Sequence, residues 1–94
     1  MLFALVALDQ PGHVARRLEL RPEHLKFLES LGAGLKLAGP YLNEKDEGIG
    51  TILLLEAPTL ADARATLARD PYYKAGLFDT LSIKPWRLSI NHLG

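Results

Sequence analysis

The chain reads as an α+β protein with a β-α-β-β-α-β order, the ferredoxin-like arrangement of a four-stranded antiparallel sheet with two helices on one face. Three observations predict it. Largely apolar runs of strand length lie at 2–8, 35–42 and 49–56, and a longer mixed stretch at 77–90 reads as a last strand. Two stretches with helical spacing and recognisable ends interrupt them, at 22–32 and 59–69. Proline or glycine marks nearly every junction, and there is no linker, repeat or low-complexity tract, so one domain spans residues 1–94.

Leu2 to Leu8 is uniformly apolar and ends in Pro11-Gly12, as a strand buried on both faces does. Residues 13–20 are mixed and predict no more than a short helix or helical turn. Pro22 suits a first helical position, Glu23 complements the positive end and Gly32 offers the stop, which predicts a first long helix from Pro22. Its inner face carries His24, Phe27, Leu28 and Leu31, so His24 is the one ionisable group on an apolar stripe.

Leu35–Leu42 forms the second strand, in which Gly39-Pro40 marks an edge, a bulge or a close approach by ligand. The polar loop 43–48 leads to a third strand, Ile49–Glu56, with Ile49, Thr51, Leu53 and Leu55 on one face and Gly50, Ile52, Leu54 and Glu56 on the other. Neither face is plainly polar. Thr59 and Asp62 have the outline of a capping box for a second helix running to Arg69. Asp70 precedes proline and must leave that helix, while Pro71 opens a new turn. The Asp70 carboxylate can accept from the N–H of Tyr72 or Tyr73, or turn sideways to orient a histidine. Leu77 to Ile90 is a long last strand with a break at Lys84-Pro85, and Pro85 argues for an edge.

Composition narrows the function. Eleven basic and eleven acidic residues give zero formal charge, so nothing draws in nucleic acid or an anionic membrane. Cysteine is absent, and His13, His24 and His92 show no ligand spacing, so no metal is expected; Gly32-Ala33-Gly34 follows a helix and lacks the strand-turn-helix order of a phosphate or dinucleotide loop, so no cofactor is expected. The apolar start of the chain lacks a basic flank and is too short for a signal or a span, which predicts a cytoplasmic location. Two helices cover one sheet face; strands apolar on both faces therefore predict a second copy of the chain over the other.

With these residues read, the sequence resembles the YCII-related family of the dimeric α/β-barrel superfamily. The likeness is carried by Arg17-Leu18, Arg21-Pro22, His24-Leu25, Ala38-Gly39-Pro40, Asp70-Pro71-Tyr72, Gly76 and Lys84-Pro85. It implies two ferredoxin-like subunits packed sheet on sheet and an active site in which His24 and Asp70 are the catalytic pair. Some relatives are associated with elimination or dehalogenation on ring substrates.

The expectation is a cofactor-independent lyase or isomerase in which His24 moves a proton on a small cyclic or unsaturated acid. A non-catalytic dimer that binds a small metabolite or assists an enzyme is the alternative. Each site residue has a plainer reading beside it. His24 is otherwise a core histidine, Asp70 a helix cap, and Tyr72 a packing residue rather than a pocket hydroxyl. Gly39 and Pro40 are backbone devices or pocket wall, and Trp86 a sheet or subunit contact or pocket wall. Arg17, with Arg16 and Arg21, is a carboxylate site or a solvated surface.

Overall fold

The computed structural model describes Met1–Gly94. In order the elements are β1 (Leu2–Asp9), α1 (Val14–Ser30), a 3-10 turn (Gly32–Gly34), β2 (Leu35–Leu42), β3 (Gly48–Glu56), α2 (Leu60–Leu67), α3 (Pro71–Lys74) and β4 (Phe78–Trp86). The four strands lie in the order β2-β3-β1-β4, and every neighbouring pair is antiparallel. This is the ferredoxin-like arrangement. Pro40 and Pro85 both sit on edge strands, where a missing N–H need not break a ladder. No helix is long and apolar enough to cross a membrane.

Register assigns the two faces of the sheet. Phe3 pairs with Leu55, Leu5 with Leu53 and Ala7 with Thr51, and all six are buried beneath the helices. Ala57, Ala63 and Leu67 complete that core, with Leu28, Leu31 and Phe78 packed at its margin. The alternate residues face away from the helices. Val6, Leu8, Leu37, Tyr41 and Ile52 are exposed there, a broad apolar surface on a single chain.

The first helix departs from expectation. It begins at Val14 and carries Pro22 in its interior instead of starting there. Proline costs a helix the bond to the residue four back, here Leu18. Leu18 and Pro22 are both exposed, so solvent can satisfy the freed carbonyl, and the turns on either side are pinned by buried side chains, Arg17 and His24. Seven residues apart, those two share one face of the helix.

The later turns follow local chemistry closely. Thr59 Oγ1 accepts from the Asp62 N–H at 3.1 Å and donates to its carboxylate at 2.8 Å, capping α2, which stops at Leu67, short of Arg69. Asp70 is extended and caps α3 through the Tyr72 N–H at 3.0 Å. Gly76, at φ 69°, lets Leu77 N–H reach Tyr72 O and its own N–H reach Tyr73 O, a Schellman closure that buries Leu77. β4 then runs through Lys84-Pro85 without the expected break and ends at Trp86, well before Ile90. Its partner simply runs out, because Trp86 lies opposite Leu2.

Candidate active site

Between α1 and the β2–β3 edge lies a cavity of about 500 Å³, within the size range of small-ligand sites. One wall is the α1 face bearing Arg17, Arg21, His24 and Leu28; the other is Ala38-Gly39-Pro40 with Glu47 and Gly48. Tyr72 forms part of the lining from α3.

His24 Nδ1 lies 2.8 Å from Asp70 Oδ1. A carboxylate only accepts, so Nδ1 carries the proton and Nε2 keeps its lone pair. The same Oδ1 also accepts from the Tyr72 N–H, so a single oxygen caps α3 and holds the imidazole. Both side chains are nearly closed to solvent, at 7% and 2% exposure. Nε2 has no partner in the chain, and since no fully occluded side-chain nitrogen or oxygen lacks one, this atom keeps some accessible surface on a residue that lines the cavity.

Stacked on that imidazole is the Tyr72 ring, with centroids 3.9 Å apart and planes 14° from parallel. The Arg17 guanidinium carbon sits 4.5 Å from the centre of the same ring, and Phe78 meets it edge-on at 6.2 Å. Burial pushes the Tyr72 phenol above its ordinary value, against the pull of the Arg17 charge.

Arg17 Nη1 donates to both oxygens of Asp9 at 2.9 Å, and Nη2 donates to Thr51 Oγ1 at 2.7 Å. Burial raises the Asp9 carboxyl from its usual value, with the Arg17 hydrogen bond and charge opposing that rise. Gly48 makes room for this pair, since a Cβ there would lie 2.9 Å from Arg17 Nε. Arg17 therefore lines the cavity while its guanidinium is engaged inside the chain. Arg21 also lines the cavity, is exposed and has no ion pair.

Of the expected site residues, His24, Arg17, Gly39, Pro40 and Tyr72 line this one cavity, and Asp70 stands behind His24. Trp86 does not belong with them. At the far end of β4, opposite Leu2, it borders a separate groove with Leu54, Leu88 and Ile90. Asp9 and Thr51, the partners of Arg17, are not among the expected site residues; their one signal in the sequence is Thr51, the single hydroxyl on an otherwise apolar strand face.

The YCII-related domain matches residues 1–87. The chain belongs to the YCII-related family. Protein YciI of Escherichia coli is 33% identical over 95 residues, spanning 93% of this YCII-related chain and 97% of that protein. An uncharacterised protein of Haemophilus influenzae is 30% identical over the same shares. Among solved structures, 5-chloro-2-hydroxyhydroquinone dehydrochlorinase from Burkholderia phenoliruptrix AC1100, in complex with 2,5-dihydroxybenzoquinone, is 30% identical with a TM-score of 0.87, covering 95% of this chain and 96% of that one. A hypothetical protein from Pyrococcus horikoshii, at 19% identity and TM-score 0.52, covers 100% of this chain and 99% of that one and shares the fold alone.

Proposed function

We propose that this YCII-related chain is a cofactor-independent enzyme of lyase or isomerase type, moving a proton on a small cyclic or unsaturated acid. The observation that carries the reading is the His24–Asp70 hydrogen bond of 2.8 Å. It fixes the tautomer in which Nε2 is the basic atom, and His24 lines a cavity of ligand size. Asp70 is the positioning partner, and it stabilises the imidazolium that forms when His24 takes a proton. Arg21, free of ion pairs at the cavity, takes the substrate carboxylate, while Gly39 and Pro40 form the facing wall. Arg17 acts from behind, holding Tyr72 and the end of β1. The dehydrochlorinase named above supports the reaction class, because elimination of hydrogen chloride begins or ends with such a proton transfer.

The same reading makes the functional unit a homodimer. Val6, Leu8, Leu37, Tyr41 and Ile52 present an apolar face away from the helices, and in a chain this small a second copy is the natural cover. Incubating the purified protein with a metabolite extract and with 5-chloro-2-hydroxyhydroquinone tests the function. Conversion of at least one small acid or ring substrate, lost in His24→Gln, is expected; a ligand retained without conversion by the wild-type protein would make the dimer a binding protein instead.

A further inference from the structure

We propose that the Tyr72 hydroxyl receives the substrate's oxygen, so that the cavity selects small rings bearing a conjugated carbonyl, enol or phenol oxygen. The inference rests on the proton-transfer reading and names the substrate class of that site. Tyr72 is 1% exposed, and its hydroxyl makes no hydrogen bond within the chain. Since no fully occluded side-chain oxygen is left without a partner, the trace of surface that Tyr72 keeps includes its hydroxyl, and the residue lines the cavity. Packing alone calls for phenylalanine here. A phenylalanine would stack on His24, lie against Arg17 and meet Phe78 as well, without bringing a hydroxyl into a buried setting.

The position of the hydroxyl is fixed by its ring. With the imidazole at 3.9 Å and the guanidinium at 4.5 Å, the ring has little freedom, so its oxygen is pre-set before any ligand arrives. Burial keeps the group a neutral phenol, hence a donor. His24 Nε2, in contrast, is an acceptor. Two stacked rings therefore offer one cavity a proton acceptor and a proton donor side by side.

That pairing suits a substrate with a C–H bond next to a carbonyl. His24 Nε2 takes the proton: the C–H bond breaks, an N–H bond forms, and the electron pair enters a new C=C bond while the carbonyl π pair moves onto oxygen. Tyr72 O–H hydrogen-bonds the oxygen as it becomes negative. When the oxygen pair returns to rebuild the carbonyl, the C=C pair either expels a leaving group from the neighbouring carbon with its electrons, an elimination, or, in a ring with a second conjugated C=C, shifts by one bond while the second C=C pair takes the proton back from the imidazolium at its far carbon, an isomerisation.

The test uses 4-nitrophenolate, a ring oxyanion whose visible band responds to hydrogen bonding, at alkaline pH where Tyr72 remains neutral. The wild-type protein is expected to bind it with a shift of the band to shorter wavelength. Tyr72→Phe, with an unchanged melting temperature, should bind roughly 10- to 100-fold more weakly and lose the shift. Tyr73→Phe, altering the neighbouring and exposed phenol, should behave as wild type. Equal binding and an equal shift in Tyr72→Phe, or no binding by the wild-type protein, overturns the proposal. Binding through Tyr72 without any substrate conversion leaves this inference standing and removes the proton-transfer reading, so the two fail separately.

Discussion

Replacing Arg17 by methionine keeps the aliphatic stem and removes the guanidinium from a site where it is 7% exposed and its partner Asp9 4% exposed. Breaking a buried pair by deleting one partner leaves a charge without compensation, a loss of about 3–5 kcal/mol. The cation–π contact with Tyr72 adds to it. Against a total stability on the order of 5–15 kcal/mol for a domain of this size, that is a large share. The loss should also depend on pH. Burial already lifts the Asp9 carboxyl above 3.8 while Arg17 holds it back, so without Arg17 it rises further. A carboxyl raised in the folded state contributes stability that is fully present below its unfolded value and lost as pH rises through its folded value. The deficit of Arg17→Met relative to wild type is therefore largest at neutral pH and shrinks toward pH 3.8, and adding Asp9→Asn recovers part of it. Urea unfolding followed by circular dichroism at neutral and mildly acid pH measures both effects. A deficit below about 1 kcal/mol, or one that ignores pH, would mean that Arg17 and Asp9 are not a buried, coupled pair.

Asp70→Ala strips the acceptor from both the Tyr72 N–H and the His24 ring and should destabilise by about 2–4 kcal/mol, whereas Asp70→Asn, which keeps an acceptor oxygen, should lose less. Equilibrium unfolding ranks the two, and the deshielded His24 Nδ1–H proton resonance expected in wild type should move in Asp70→Asn. Gly48→Ala drives a methyl against an anchored Arg17 and should cost about 1–3 kcal/mol, much of it relieved when Arg17→Met is present; additive losses in the double mutant would contradict the contact. If the proposed dimer forms through the apolar face away from the helices, the wild-type protein scatters light as two chains at micromolar concentration and Ile52→Asp as one; a wild-type mass of one chain, or an unchanged dimer mass in Ile52→Asp, would contradict that assembly.

Much of this architecture is legible in the residues because local and global preferences agree. β2 has the bounds that its apolar run indicates, and Thr59 and Asp70 cap the helices that their side chains announce. The start of α1 is not legible, since Pro22 carries the ordinary signature of a helix start and only tertiary anchoring through Arg17 and His24 overrides it. β4 ends where β1 stops offering partners, a limit that no reading of β4 alone contains. The candidate site divides the same way. An imidazole on an apolar stripe demands an acceptor, and a carboxylate ahead of proline can supply one, so His24 and Asp70 are readable as a pair. The engagement of Arg17 by Asp9 and Thr51 depends on strands that meet only in the fold, and so does the distance of Trp86 from the cavity.

Solvent isotope exchange reports directly on proton transfer by His24. In deuterium oxide, mass spectrometry of a panel of cyclic and unsaturated acids reports whether the protein moves a proton between carbon and a basic group, with no knowledge of the physiological substrate required. The wild-type protein is expected to introduce deuterium at a carbon of at least one panel member, and His24→Gln, with its fold retained, is expected to introduce none. Exchange that survives His24→Gln, or a wild-type protein that binds panel members and exchanges none, would contradict it.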